Sequence, residues 1–462
     1  MRIPFALQSY EHESKPLSAQ RVVNCFSEIQ PKDAKSPAAL LFRPGLKAFS
    51  TIGSGPIRGV HEMADELYAV SGNALFSVDA SGTGTNLGSV GSTSTGLVSM
   101  ADNGNQLVVV NDNDGYVYDR LLGTLTQITD ADFQQSSDVA QLDNYHIFIK
   151  LNSDQFFLSA LSDPTSYDPL DFATAEGDSD LLVKIATDNK QLVLFGTDTT
   201  EVWYNSGNVF PFDRVSGVFI QEGLGAKYSV ASLDNTLFWL SKNGVVFKLD
   251  GFTPLRVSTH AIEQAIKDIS NFGDARAFDL KWKGHIFYIL TFPDEATFVY
   301  DAATQLWHEW ETFGQMGFIG CCHAQAYRKE IVGDQDAGKL YTLEDSAKDD
   351  DGTLIQKIAT GAPLYASGKW AFMPSFEAIF ETGVGVTAGQ GSDPQAMMEY
   401  SDDGGRTWSN SLWRDLGKIG KYQTRTIWRR LGRFKERTIR VTVSDPVATR
   451  LLGANADLVG EA

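Results

Sequence analysis

The sequence predicts an all-β protein: a β-propeller of seven blades, or six with a divergent extra sheet, with an N-terminal arm and a C-terminal β module. Three observations predict it. A polar turn followed by a short apolar strand recurs seven times, the strands starting at Leu67, Leu107, Ile147, Leu192, Leu237, Ile286 and Ile331, with spacings between 40 and 49 residues. Each has a second apolar strand shortly after it, starting near Leu75, Tyr116, Phe156, Val202, Val245, Phe298 and Leu340. Strand-rich self-similarity at this period belongs to propellers, whose blades are four-stranded sheets set around an axis. The composition agrees, since 42 glycines and 11% aromatic residues suit tight turns and pleated strands.

Taken in order, residues 1–55 lack the repeat and hold Pro16, Pro31, Pro37 and Pro44. They read as an arm carrying one apolar strand at 38–42, placed either to complete the last blade or to pack beside the ring. Residues 56–350 hold the repeats. The segment 163–172, with Pro164 and Pro169, reads as a loop inserted between the third and fourth units. Ile262, Ala265, Ile266 and Ile269 fall at helical spacing and predict one amphipathic helix over 259–270. Acidic residues at 344–351 mark a solvated junction. Residues 351–462 form a separate unit in which alternation over 438–444 predicts a strand.

Charge divides the chain unevenly. The net charge of −19 excludes a general nucleic-acid binder, which needs positive surface. Between Arg406 and Arg440, however, eleven Lys or Arg face only Asp415 and Glu436. Arg425, Arg429, Arg430, Arg433, Lys435 and Arg437 are the candidate assembly residues of this stretch. The alternatives are a solvated strand face or a docking surface for an acidic partner, either DNA or a patch on a neighbouring subunit. No apolar run is long enough to span a membrane, and the N-terminus lacks the apolar core of a secretory signal. Cys25, Cys321 and Cys322 cannot form a disulfide framework; they fit a reducing cytoplasm and buried structural thiols.

Motifs for chemistry are few. Ser401, Asp403, Gly405, Thr407 and Trp408 match an Asp-box, a hairpin-turn device in which the carboxylate accepts backbone N–H groups and the glycine supplies positive φ. The glycine-rich run 88–96 lacks the lysine of a phosphate loop, and 111–115 lacks the downstream ligand of a calcium loop. The seven histidines show no metal-ligand spacing. No catalytic constellation, cofactor site or metal site is predicted. The alternative is a propeller-type glycosidase or depolymerase acting on surface polysaccharide, with Trp203, Trp239, Trp282, Trp307 and Trp310 as sugar-stacking platforms.

The segments 21–29, 36–49 and 254–266, with 399–409, 428–433 and 440–446 near the C-terminus, resemble in their order the packaged-DNA stabilisation proteins of short-tailed, podovirus-type phages, also called tail hub or nozzle proteins. The resemblance spans nearly the whole chain and brings no catalytic residues with it. It implies a virion tail component, made in the host cytoplasm and assembled as a homohexameric ring below the portal and adaptor. Such a ring would extend the DNA channel, retain packaged DNA, and anchor fibres or spikes. Genomic DNA would pass without sequence-specific contacts, and a ring of heterologous contacts would need two complementary faces on each copy.

Overall fold

The computed structural model describes residues 2–460 apart from 4, 6, 32–35, 176, 178 and 179. Six blades take their four antiparallel strands from consecutive chain, over 57–89, 99–127, 136–174, 182–214, 231–256 and 276–309. In the first, Ile57–Met63 lies innermost, followed outward by Glu66–Ser71, Ala74–Val78 and Gly84–Ser89. A composite sheet closes the ring. It has three strands from Gly320–Ala326, Lys329–Asp334 and Lys339–Glu344, and its fourth is Gly45–Thr51 from the other end of the chain. The blade count is thus six regular blades plus one divergent sheet.

The repeat visible in the sequence is the second strand of each sheet. These strands are buried on both faces between neighbouring sheets, so they read as continuous apolar runs instead of alternating ones. Leu67, Leu107, Ile147, Leu192, Phe287 and Ile331 are all fully buried. The polar turn before most of them is a two-residue hairpin with both central residues at positive φ: Ala64 and Asp65, Asp143 and Asn144, Asn189 and Lys190, Asp234 and Asn235, Tyr327 and Arg328. Such a turn carries the twist that matches two antiparallel strands. One apolar cluster fills each gap between adjacent sheets, and the last, with Ile57, Leu67 and Phe76 against Ile331 and Leu340, seals the ring.

Two expectations change. Residues 163–172 are not a loop outside the blade: Asp163–Thr174 is the outermost strand of the third blade. Its two prolines sit where the register slips, Pro164 between Asp163 and Tyr167 and Pro169 between Tyr167 and Phe172, so the ladder loses little, and Tyr167 still packs on Phe133, Phe148 and Phe157. The strand at Ala38–Phe42 neither completes a blade nor stands beside the ring; it pairs with Cys25–Ile29 and Arg450–Gly460 in the C-terminal module.

That module is a β-sandwich made by both ends of the chain. One sheet runs Cys25–Ile29, Ala38–Phe42, Arg450–Gly460, Ala371–Phe380, Thr426–Arg429. The other continues from the edge of the sixth blade, Leu306–Glu309, through Ala19–Val23 to Lys357–Thr360, Glu436–Val443, Gln395–Ser401 and Leu412–Asp415. Phe376, Trp428, Met398 and Val441 fill the space between them. The predicted helix is His260–Lys267, capped by the Thr259 hydroxyl, with Ile262 and Ile266 buried against the fifth and sixth blades.

Where propeller meets sandwich, Arg43 is completely buried. Its guanidinium makes two bonds to Asp350, at 2.9 and 2.6 Å, and donates to Asn24 Oδ1 at 2.8 Å and to the carbonyls of Pro44 and Glu311. It lies over the rings of Trp310 and Phe318.

Candidate functional surfaces

The Asp-box residues sit on a turn after the strand Gln395–Ser401. Asp403 accepts from the amides of Arg406 and Thr407 at 2.9 Å each, from the Thr407 hydroxyl at 2.6 Å and from the Ser401 hydroxyl at 2.7 Å. Those donors, the Thr407 hydroxyl first, hold its carboxyl well below the usual carboxylate range. Gly404 and Gly405 have φ of 76° and 92°, and a Cβ on either would collide with Pro16 or Ala19. The box is therefore a clasp holding the N-terminal arm to the sandwich.

The six basic candidates separate into inner and outer groups. Arg437 is buried: it pairs with both oxygens of Asp402 at 2.6 and 2.7 Å, donates to the Leu431 carbonyl at 2.6 Å, and lies over Tyr400 and Phe434. Arg425 stays at the surface and pairs with Glu377 at 2.8 and 2.9 Å. Arg429 ends the strand Thr426–Arg429, Arg430 follows it, and both are exposed. Arg433 and Lys435, also exposed, stack on Trp370 at 4.4 and 5.1 Å. Beside them Phe372 and Tyr365 stand out of the sheet, 42% and 69% exposed. The outer group is thus a cationic and aromatic patch at one end of the sandwich.

The propeller axis holds a cluster that no sequence motif marks. The segment before the fifth blade folds inward, and the Tyr228 hydroxyl donates to the Leu97 carbonyl, across the ring, at 2.8 Å. Lys227 donates to the Ser137 carbonyl, and Lys184 and Lys227 lie over the Tyr228 ring at 5.9 and 4.9 Å. Asp138, fully buried, accepts from Lys184 at 2.9 Å and from the Ile185 amide at 2.8 Å. Burial lowers the pKa of Lys227 and pushes the Tyr228 hydroxyl up to about 12. Arg58 ties four groups together at the same end, donating to the carbonyls of Gly72, Thr93 and Gly96 and to Asn111 Oδ1. Behind this plug lies a cavity of about 210 Å³ bordered by His61, Met100, Phe278, Cys322 and His323.

Of the tryptophans named as sugar platforms, Trp203, Trp239, Trp307 and Trp310 are buried between sheets and offer no face to a sugar, while Trp282 is half-buried. His61 pairs with Asp102 at 2.6 Å, and His323 with Glu330 at 2.8 Å. Cys321 and Cys322 are free, with their sulfurs 3.5 Å apart, and Cys25 is buried. Among the described residues no group of three or more His, Cys, Asp or Glu could hold a metal ion, and no helix is long and apolar enough to cross a membrane.

Two family models together match almost the whole chain. One, described as bacteriophage P22 Gp10, beta-propeller, matches residues 1–348; the other, bacteriophage P22 Gp10, beta-sandwich, matches residues 358–458. No curated protein matches. Among solved structures, a computationally designed protein, Ika8, aligns at 13% identity and TM-score 0.39 over 64% of this chain and 99% of its own. A chain of the mitotic checkpoint complex aligns at 12% identity and TM-score 0.43 over 69% of this chain and 97% of its own. Both similarities are too weak to bear on function. Propeller, sandwich and both family matches agree along the chain, which therefore belongs to the bacteriophage P22 Gp10 family of tail structural proteins that stabilise packaged DNA.

Proposed function

We propose that the protein forms a homohexameric nozzle ring below the portal and adaptor, extends the DNA channel, and offers attachment points for fibres or spikes. It works by assembly and not by catalysis. The observation that carries this reading is the separation of charge: an acidic body and an exposed cationic patch of Arg429, Arg430, Arg433 and Lys435 on one chain. A closed ring of identical copies needs two different, complementary faces on each copy, and opposite charge supplies such a pair. Arg437, spent on Asp402 inside the fold, drops out of the candidate interface, and Arg425, already paired with Glu377, is the weaker of the remaining candidates.

The plugged axis bears on where DNA runs. Tyr228 and Lys227 bridge the propeller's own channel, which supports a passage on the common axis between copies instead. A surface of net negative charge lining it would repel phosphates and let DNA slide. The test is antibody-gold labelling of intact particles viewed by electron microscopy. Label at the single tail vertex supports the reading. Unlabelled particles, with an antibody shown to bind the native protein, would refute it.

A further inference from the structure

A groove lies beside the helix His260–Lys267, between the sixth blade and the N-terminal arm, with a volume of about 450 Å³. Its floor is apolar, formed by Ile262, Ala265, Ile269 and Phe298, and Met316 on its rim is 67% exposed. Five carboxylates border it: Glu11, Asp268, Glu295, Glu309 and Glu311. Among the described residues two cations meet them: Arg21 is held by Glu309 and Glu311, and Lys15 pairs with Glu11. The groove therefore keeps a net negative rim over an apolar floor. An exposed apolar surface of this kind, edged by one sign of charge, fits a partner carrying the opposite sign and an apolar anchor.

The same chain carries that partner. The patch on the sandwich presents Arg429, Arg430, Arg433 and Lys435, with Phe372 and Tyr365 exposed among them. Aromatic and arginine side chains together make the usual anchors of protein interfaces. We propose that the cationic patch of one copy seats in the acidic groove of a second copy, Phe372 or Tyr365 against the apolar floor and the basic side chains against the carboxylate rim. Patch and groove are different surfaces, so the contact is heterologous and propagates around a ring. This inference rests on the ring reading above and names the two faces that make it.

Complementary charge reversal in particles tests it. Glu11→Lys and Asp268→Lys with Gln315→Lys, all on the groove's lining, turn its rim net positive; Arg429→Glu, Arg430→Glu and Arg433→Glu turn the patch net negative. Each set, supplied in trans to phage lacking the protein, is expected to cut the copies per particle by roughly tenfold or more, since like charges brought face to face cost several kcal/mol. All six changes in one chain should restore incorporation to within about threefold of the unmodified chain. Unmodified incorporation of either folded set, or failure of the combined chain to recover, would overturn the proposal and leave the ring standing. Absence of the unmodified chain from particles would sink the ring reading itself. Where a set fails to fold, zero-length carbodiimide coupling of unmodified particles decides: a dimer-sized product joining Lys435, or the exposed Lys369 next to Trp370, to a groove carboxylate supports the contact, and dimers lacking that link refute it.

Discussion

Removing Arg43 tests how the two domains are joined. Arg43→Ala leaves Asp350 buried without either of its guanidinium contacts and uncovers the Pro44 and Glu311 carbonyls. Asn24 keeps its second donor, the Glu311 amide at 2.9 Å, so most of the loss falls on Asp350. Stripping one partner from a buried ion pair costs about 3–5 kcal/mol. Unfolding entropy of ~2.1 cal/mol/K per residue amounts to about 1 kcal/mol/K for a chain of 462 residues, so Tm should fall by about 4 °C. Scanning calorimetry of Arg43→Ala beside Arg43→Met/Asp350→Leu reads it, and the apolar pair should recover most of the loss because neither charge is then stranded. A fall below about 1 °C for the single change, or a double change worse than the single, would refute the reasoning.

Three further outcomes are expected. Gly338→Ala places a Cβ 2.0 Å from the Ile52 carbonyl, backbone that has no room to yield, and should destabilise ring closure by about 1–3 kcal/mol; amide exchange over 45–51 should accelerate before the rest of the propeller. Burial alone would lower the pKa of His285, but its bonds to Asp301 at 2.7 Å and Glu28 at 2.8 Å outweigh burial and raise it above the ordinary 6.5. Its stabilisation is then full below pH 6.5 and lost as pH rises through the raised value, so His285→Gln should flatten Tm against pH on the neutral-to-alkaline side, and an unchanged profile would count against it. Asp403, its pKa lowered, contributes order above the ordinary 3.8 that is lost only as pH falls through the depressed value. Asp403→Asn should therefore open the turn at neutral pH, read as faster tryptic cleavage after Arg406; equal cleavage rates would sink the clasp.

The propeller was legible because its most buried strands announce themselves locally. A strand enclosed on both faces reads as an unbroken apolar run, and a tight hairpin demands residues that tolerate positive φ, as Asp234 and Asn235 do before Leu237. The helix was legible for the same reason, from the spacing of Ile262 and Ile266. What failed to show is what depends on distant chain. Nothing near Gly45–Thr51 points to its partner at Lys339–Glu344. A local charge count makes Arg437 a surface residue, because Asp402, which neutralises it, lies on another strand's turn. The prolines of 163–172 suggested a loop, since the register slip that accommodates them is a tertiary event. The axial cluster of Asp138, Lys184, Lys227 and Tyr228 and the groove beside the helix come from the third, fourth and sixth blades, the segments on either side of the fifth, and the arm, and left no motif to find.

Closing the ring with Gly45–Thr51 also fixes an order of events during synthesis. The strand leaves the ribosome early, but the edge it must join, Lys339–Glu344, is made last among the propeller strands. At translation rates of ~5–20 residues per second, the roughly 290 residues between them take on the order of 15–60 s. Ala19–Val23 and Ala38–Phe42 wait longer still, for sandwich partners at Lys357–Thr360 and Arg450–Gly460. For that interval the nascent chain holds apolar strands with open edges, the condition in which chains pair with the wrong neighbour. A cell making many copies at once must keep those ends apart until each chain is released, and in the finished subunit the two ends meet, Arg2–Ile3 pairing with Arg450–Gly460.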